Sequence, residues 1–106
     1  MNDAFLLSLG ICMKAKKLSY GFDTVKESLQ SGAACVVFVT NDISQKSQKE
    51  ISFECKNVGV EIIKTAYDTD TLGGAIGRKT KIVSVNDKGF ADMLKLKLSY
   101  NKEDIL

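Results

Sequence analysis

The stretch Ala34-Cys35-Val36-Val37-Phe38-Val39-Thr40 constrains this chain more than any other part of it. It is an apolar run rich in β-branched residues, opened by Ser31-Gly32 and closed by Asn41-Asp42. A strand with one face in water alternates polar and apolar side chains. A run without that alternation predicts a strand buried on both faces, at the centre of a sheet covered by helices. Turn residues this close on either side leave too little room for a buried helix.

The flanking segments fit that centre. Asn2 or Asp3 can cap a first helix over residues 4–16, with Phe5, Leu9 and Cys12 inward and Leu6 and Met13 beside them. Gly10 costs such a helix about 1 kcal/mol against alanine, and so marks close packing on a neighbour. Leu18-Ser19-Tyr20 is a short strand ending at Gly21. A second helix is expected over residues 22–31, with Thr24-Val25-Lys26-Glu27 in the form of a capping box and Gly32 as a left-handed stop. After the turn Asn41-Asp42-Ile43-Ser44 a third helix begins, started by Ser44 or capped by Ser47. Its expected buried stripe is Ile51, Cys55 and Val58, and Gly59 ends it. A strand over 60–64 follows, then a polar piece and a short helix over 72–76 closed by Gly77. Arg78-Lys79-Thr80-Lys81 leads into the strand Ile82-Val83-Ser84-Val85. Asn86 or Asp87 caps a last helix lined by Phe90, Leu94 and Leu98. Alternating helices and strands with short connections predict an α/β fold, a three-layer α/β/α sandwich around a mixed sheet of about four strands. The chain of 106 residues suits one domain, expected over residues 1–98, with a fraying tail over 99–106.

Composition removes several chemistries. There is no histidine, so Ser-His and Cys-His nucleophiles and imidazole-bound zinc are absent. Cys12, Cys35 and Cys55 are odd in number, widely spaced and set in apolar patterns, as reduced core thiols in a cytoplasm are. No apolar run reaches membrane-spanning length, and the N-terminal residues do not form a secretory leader. The formal net charge of +2 is small, so the placement of the positive residues matters more than their sum.

Three candidate sites stand out. Gly73-Gly74-Ala75-Ile76-Gly77-Arg78-Lys79-Thr80 nearly spells a phosphate-binding loop. Arg78 stands where the glycine before Lys-Thr belongs, and the segment precedes a strand where a phosphate loop precedes a helix. Its glycines permit tight packing and a helix stop in any case. The pairs Asp68 with Asp70 and Asp23 with Glu27 lie in helix-starting segments, where carboxylates are favoured by the helix dipole. The third candidate is a surface. The start of helix two at Gly21, Phe22, Asp23 and Thr24 and the loop Gly77, Arg78, Lys79 and Lys81 are expected at one edge of the sheet, with Lys16, Lys17 and Lys26 close by. Separated cations, helix-start amides and the rings of Tyr20 and Phe22 suit phosphates and splayed bases of a folded RNA.

Several motifs carry a family likeness in register from about Leu9 to Leu94. They are Leu9-Gly10-Ile11 with Lys14-Ala15-Lys16-Lys17-Leu18, Gly21, Gly32 before Cys35-Val36-Val37-Phe38-Val39, Asn41-Asp42, Leu72-Gly73 with Ala75 and Gly77, and Asn86-Asp87-Lys88-Gly89-Phe90-Ala91. The chain thereby resembles the kink-turn RNA-binding superfamily of ribosomal proteins, of the L7Ae and L30e type, and its bacterial members most. The resemblance implies an α/β/α sandwich without catalytic activity, cofactor or small-molecule substrate, whose partner is a sharply bent RNA. It implies that Asp23 and Thr24 take the place of an Asn-Glu pair that reads sheared G·A pairs, and Glu27 that of a lysine. It also implies that Arg78, Lys79 and Thr80 fall in the loop that in the family often carries small or apolar residues against a flipped-out base, from which they depart. Asp23 can accept from guanine but not donate as Asn does, and Glu27 brings negative charge near phosphate. Two other readings remain: an interaction module that kept the fold but lost RNA binding, and a nucleotide-binding enzyme using residues 73–80.

Overall fold

The computed structural model describes residues 3–103, with side chains described through Leu98. All four residues of β2 (Val36–Val39) are buried. The strand lies between β4 (Ile82–Val85), antiparallel to it, and β3 (Glu61–Lys64), parallel to it. β1 (Leu18–Tyr20) pairs antiparallel with β4 and completes a mixed sheet of order β1-β4-β2-β3. The unbroken apolar run is explained by the two-residue period of a strand. Val36 and Phe38 point into one core, and Val37 and Val39 into the other. Each such side chain contributes about 1.5–3 kcal/mol by leaving water.

Helices α1 (Ala4–Lys14), α4 (Thr69–Ile76) and α5 (Lys88–Glu103) cover the first face. Phe5, Leu9, Cys12, Leu72, Ile76 and Leu94 fill the core there. Phe5 meets Phe38 edge-on at 5.1 Å between ring centroids and stacks on Tyr67 at 5.5 Å. Helices α2 (Phe22–Gln30) and α3 (Gln45–Val58) cover the other face through Val25, Leu29, Ile51 and Cys55. This is the expected three-layer sandwich.

Element ends depart from expectation where a side chain or a backbone flip decides them. Asp3 caps α1, accepting from the Leu6 amide at 3.1 Å, while the alternative cap Asn2 lies outside the described residues. α1 stops at Lys14 because Lys16 turns left-handed (φ 61°), which lets the Lys17 amide donate back to the Cys12 carbonyl. The capping box expected at residues 24–27 does not form. Gly21 is the N-cap, no side chain caps α2, and Thr24 already lies inside the helix. Ser44 begins α3 by accepting from the Ser47 amide, so Ser47 is not its cap. Val58, expected in the buried stripe, is 45% exposed because α3 ends there, at the left-handed Gly59. Asp68 caps α4 three residues earlier than the apolar pattern suggested. Asp87 accepts from the Phe90 amide at the start of α5. That helix continues through Glu103 into the segment expected to fray, and residues 104–106 lie outside the described residues.

Candidate functional site

The chain leaves β1 at Gly21 and enters α2 at once. Gly21 has φ 88° and ψ 152°, a conformation essentially reserved for glycine. With no side-chain cap, the first-turn amides of α2 form an open helix mouth. The Gly21 amide itself is used inward, donating to the Ile82 carbonyl at 3.1 Å and to the Thr80 hydroxyl at 3.2 Å. Thr80 is buried, and its hydroxyl donates to the Ile82 carbonyl at 2.8 Å. One hydroxyl therefore joins the loop after α4 to the start of α2, and the two regions expected at one edge of the sheet do meet there.

Two further connections build up the same edge. The Thr40 amide donates to the Lys81 carbonyl, and the Asn41 amide and side chain donate to the carbonyls of Tyr67 and Ala66. A cleft of about 410 Å³ opens between these segments. Phe22, Ile43 and Ile82 give it apolar surface, and Ser47, Thr69 and Lys79 give it polar edges.

The expected cations divide into three groups. Arg78 and Lys79 are exposed on the loop, and among the described residues no carboxylate pairs with either. Lys81 and Lys26 are paired: Lys81 lies 3.8 Å from Asp42 and donates to Thr69 at 2.7 Å, while Lys26 lies 3.8 Å from Glu54 across α2 and α3. Lys16 and Lys17 are not close by. They precede Leu18, which pairs with Val85, whereas Gly21 lies beside Ile82. The length of β1 thus separates them from the loop, about 10 Å at strand rise. The strand direction, invisible in the charge pattern, is the reason. Gly77 closes α4 in the left-handed conformation. Asp23, Thr24 and Glu27 lie exposed along α2.

Ile43, Ser47 and Thr69 belong to the cleft although the sequence pattern did not single them out for it. The turn Asn41-Asp42 at the end of the central strand was the available signal for the first two, because ligand crevices form where such strands end. The phosphate-loop alternative loses its key group, since the Thr80 hydroxyl is buried and occupied by backbone partners and so is turned away from any magnesium ion. Asp68 is spent as a cap, and its carboxyl is held below its ordinary value, chiefly by the Thr71 amide. Among the described residues no cluster of acidic or thiol side chains is fit to hold a metal ion, and no helix is long and apolar enough to cross a membrane.

Sandwich, mixed sheet and loop-built cleft together define a small α/β/α protein with its candidate site at the sheet edge where β2 ends. The chain belongs to the Ribosomal protein L7Ae/L30e/S12e/Gadd45 family, whose profile matches residues 4–95. It is similar to RNA-binding protein YlxQ of Bacillus subtilis (strain 168), with 31% identity over 87 residues, 81% of this chain and 86% of the relative. It is also similar to RNA-binding protein YlxQ of Enterococcus faecium, at 26% identity over 82% of this chain and 84% of the relative. Among solved structures, a Bacillus halodurans protein of unknown function superposes with a TM-score of 0.86 at 23% identity, over 92% of this chain and 99% of the other. The Giardia lamblia 15.5kD RNA binding protein superposes with a TM-score of 0.73 at 14% identity, over 94% and 89% of the two chains. These two likenesses bear on the fold alone.

Proposed function

We propose that this chain is a cytoplasmic, non-catalytic protein that binds structured RNA of the kink-turn type, ribosomal or ribosome-associated, through the mouth of α2 and the loop over residues 77–81. The binding unit is a single domain over residues 1–98. The observation that carries the reading is the joining of these two segments by Thr80 around a cleft with apolar surface from Phe22, Ile43 and Ile82. Family membership and the name of the YlxQ relatives support it. The open amides of α2 and the unpaired Arg78 and Lys79 suit phosphates, and the apolar cleft suits a base turned out of its stack. Asp23 and Thr24, exposed on the first turn of α2, face the guanine edges in this arrangement.

Each phosphate contact contributes about 0.7–0.9 to the slope of log affinity against log salt. Arg78→Glu combined with Lys79→Glu is therefore expected to weaken binding to a kink-turn RNA and to lower that slope by about 1.4–1.8. Unchanged affinity and slope in a salt titration would place the interface elsewhere. The reading as an interaction module draws on one observation, the exposed Leu7 and Ile11 on α1. Gel shifts at low salt with a kink-turn, a plain duplex and a single strand separate the two, since an interaction module binds none of them.

A further inference from the structure

Helix α3 sorts its side chains more sharply than burial requires. Ile51 and Cys55 face the core. On another side, Gln45, Gln48, Lys49, Ser52, Phe53 and Lys56 recur at helical spacing and line a shallow groove of about 620 Å³. Phe53 is 62% exposed, so most of its ring lies in water. Among the described residues no carboxylate lines this groove. Glu50 and Glu54 border the neighbouring groove toward α2, where Glu54 is engaged by Lys26. On this side Phe53 is flanked by two ammonium groups, two amides and a hydroxyl, while Glu50 stands on its other side, in the groove toward α2.

That set is complementary to an unpaired nucleotide strand. A phenyl face takes any base by stacking, lysines one turn away on either side take phosphates, and glutamine amides both donate to and accept from base edges. The surface is continuous with the rim. Phe22 borders the cleft and also the groove it shares with Lys49 and Phe53. Ser47 lines the cleft from the start of the same helix, and Phe53 follows six residues later, about 9 Å along the axis.

We propose that this face of α3 is a second RNA-contact site, which holds a single strand leaving the bent RNA at the rim, with a base on Phe53 and phosphates at Lys49 and Lys56. The proposal rests on the reading of the rim as an RNA interface.

Fluorescence anisotropy with a bent RNA ending blunt, and with the same RNA carrying a short uridine tail at either end, tests it. The tail is expected to tighten binding by the wild-type protein about tenfold. Phe53→Ala abolishes that gain and Phe53→Tyr keeps it. Lys49→Gln with Lys56→Gln lowers the salt slope of the tailed RNA by about 1.4. All of these variants bind the blunt RNA as the wild type does. Arg78→Glu with Lys79→Glu weakens blunt and tailed RNA alike and leaves their ratio unchanged, which separates failure of the rim from failure of this face. Should the wild type ignore the blunt RNA, oligouridylate alone decides: binding lost in Phe53→Ala supports the face, and no binding overturns it. A tail gain that survives Phe53→Ala, or its absence from both ends, also overturns it. So does a concentration-dependent dimer in sedimentation that Phe53→Ala abolishes, which gives the face to a second copy of the chain.

Discussion

Lys81 is the cation whose surroundings most change its expected part. Its ammonium donates to Thr69 at 2.7 Å, and the Thr69 hydroxyl donates in turn to Asp42 at 2.9 Å. The Asp42 carboxyl is held down to about 2 from an ordinary 3.8, first by the Thr40 hydroxyl, then by the Thr69 hydroxyl and amide and the Lys81 charge. The buried Thr40 hydroxyl lies beside the carboxylate without a well-formed hydrogen bond of its own. A carboxylate whose pKa is depressed by folding contributes stability above its unfolded pKa and loses it as pH falls through the folded value. Asp42→Asn is therefore expected to lower the urea midpoint at pH 5–7, with the difference from wild type vanishing between about pH 4 and pH 2. A pH-independent difference would show that the carboxylate charge is not what matters. Neither the Lys81 pairing nor that of Lys26 was legible in the sequence. Asp42 and Glu54 lie far along the chain from those lysines, and charge patterning reports local neighbours only.

At the scale of elements, α4 shows how closely the rim depends on a missing side chain. A Cβ on Gly73 would stand 2.7 Å from the Arg78 carbonyl oxygen and 3.2 Å from the Lys79 Cα, whereas one on Gly74 would meet open space. Gly73→Ala must push the loop away from the helix, at an expected cost of about 1–3 kcal/mol. Gly74→Ala is expected to stabilise by about 0.8–1 kcal/mol through helix propensity. Thermal denaturation of the two variants checks the pair, and equal melting temperatures would refute it. Gly10 behaves as its position in an apolar helix suggested, since a Cβ there would meet the Ala75 carbonyl oxygen at 2.8 Å. Apolar period and glycine stops made nearly every element legible. Helix starts were less so, because Ser44 and Asp68 act through single side-chain bonds and Gly21 begins α2 with none. The capping-box spacing at residues 24–27 therefore described a motif the backbone does not use.

For the molecule as a whole, the sheet divides the interior into two cores, and each contains one buried thiol, with Cys35 packed half-buried against the first. Cys12 lies among the residues under α1, α4 and α5, and Cys55 among those under α2 and α3. Burial pushes the Cys12 thiol up to about 11, with Asp87 adding to it, and pushes Cys55 to about 11, with Glu54 adding to it. The thiolate is the reactive form, so both are expected to resist iodoacetamide at pH 8 while the half-buried Cys35 reacts. In a urea series followed by mass spectrometry, Cys12 and Cys55 should become reactive together, as one cooperative unit exposes both faces. Labelling of Cys55 at lower urea than Cys12 would show that the α2–α3 layer opens alone. The sandwich itself was legible because the alternation of helices and strands leaves few ways to cover both faces of the central strand. The composition of the rim was only half legible. The meeting of Gly21 with residues 77–81 followed from element order, but the removal of Lys16 and Lys17 depended on the direction of a three-residue strand.

The shared hydroxyl of Thr80 has a mechanical consequence. Because it bonds the start of α2 and the first residue of β4 at once, the helix mouth and the end of the loop over residues 77–81 are tied into one wall of the cleft. A guest that settles against that wall finds its two segments already joined, and the work of conforming there falls on the guest.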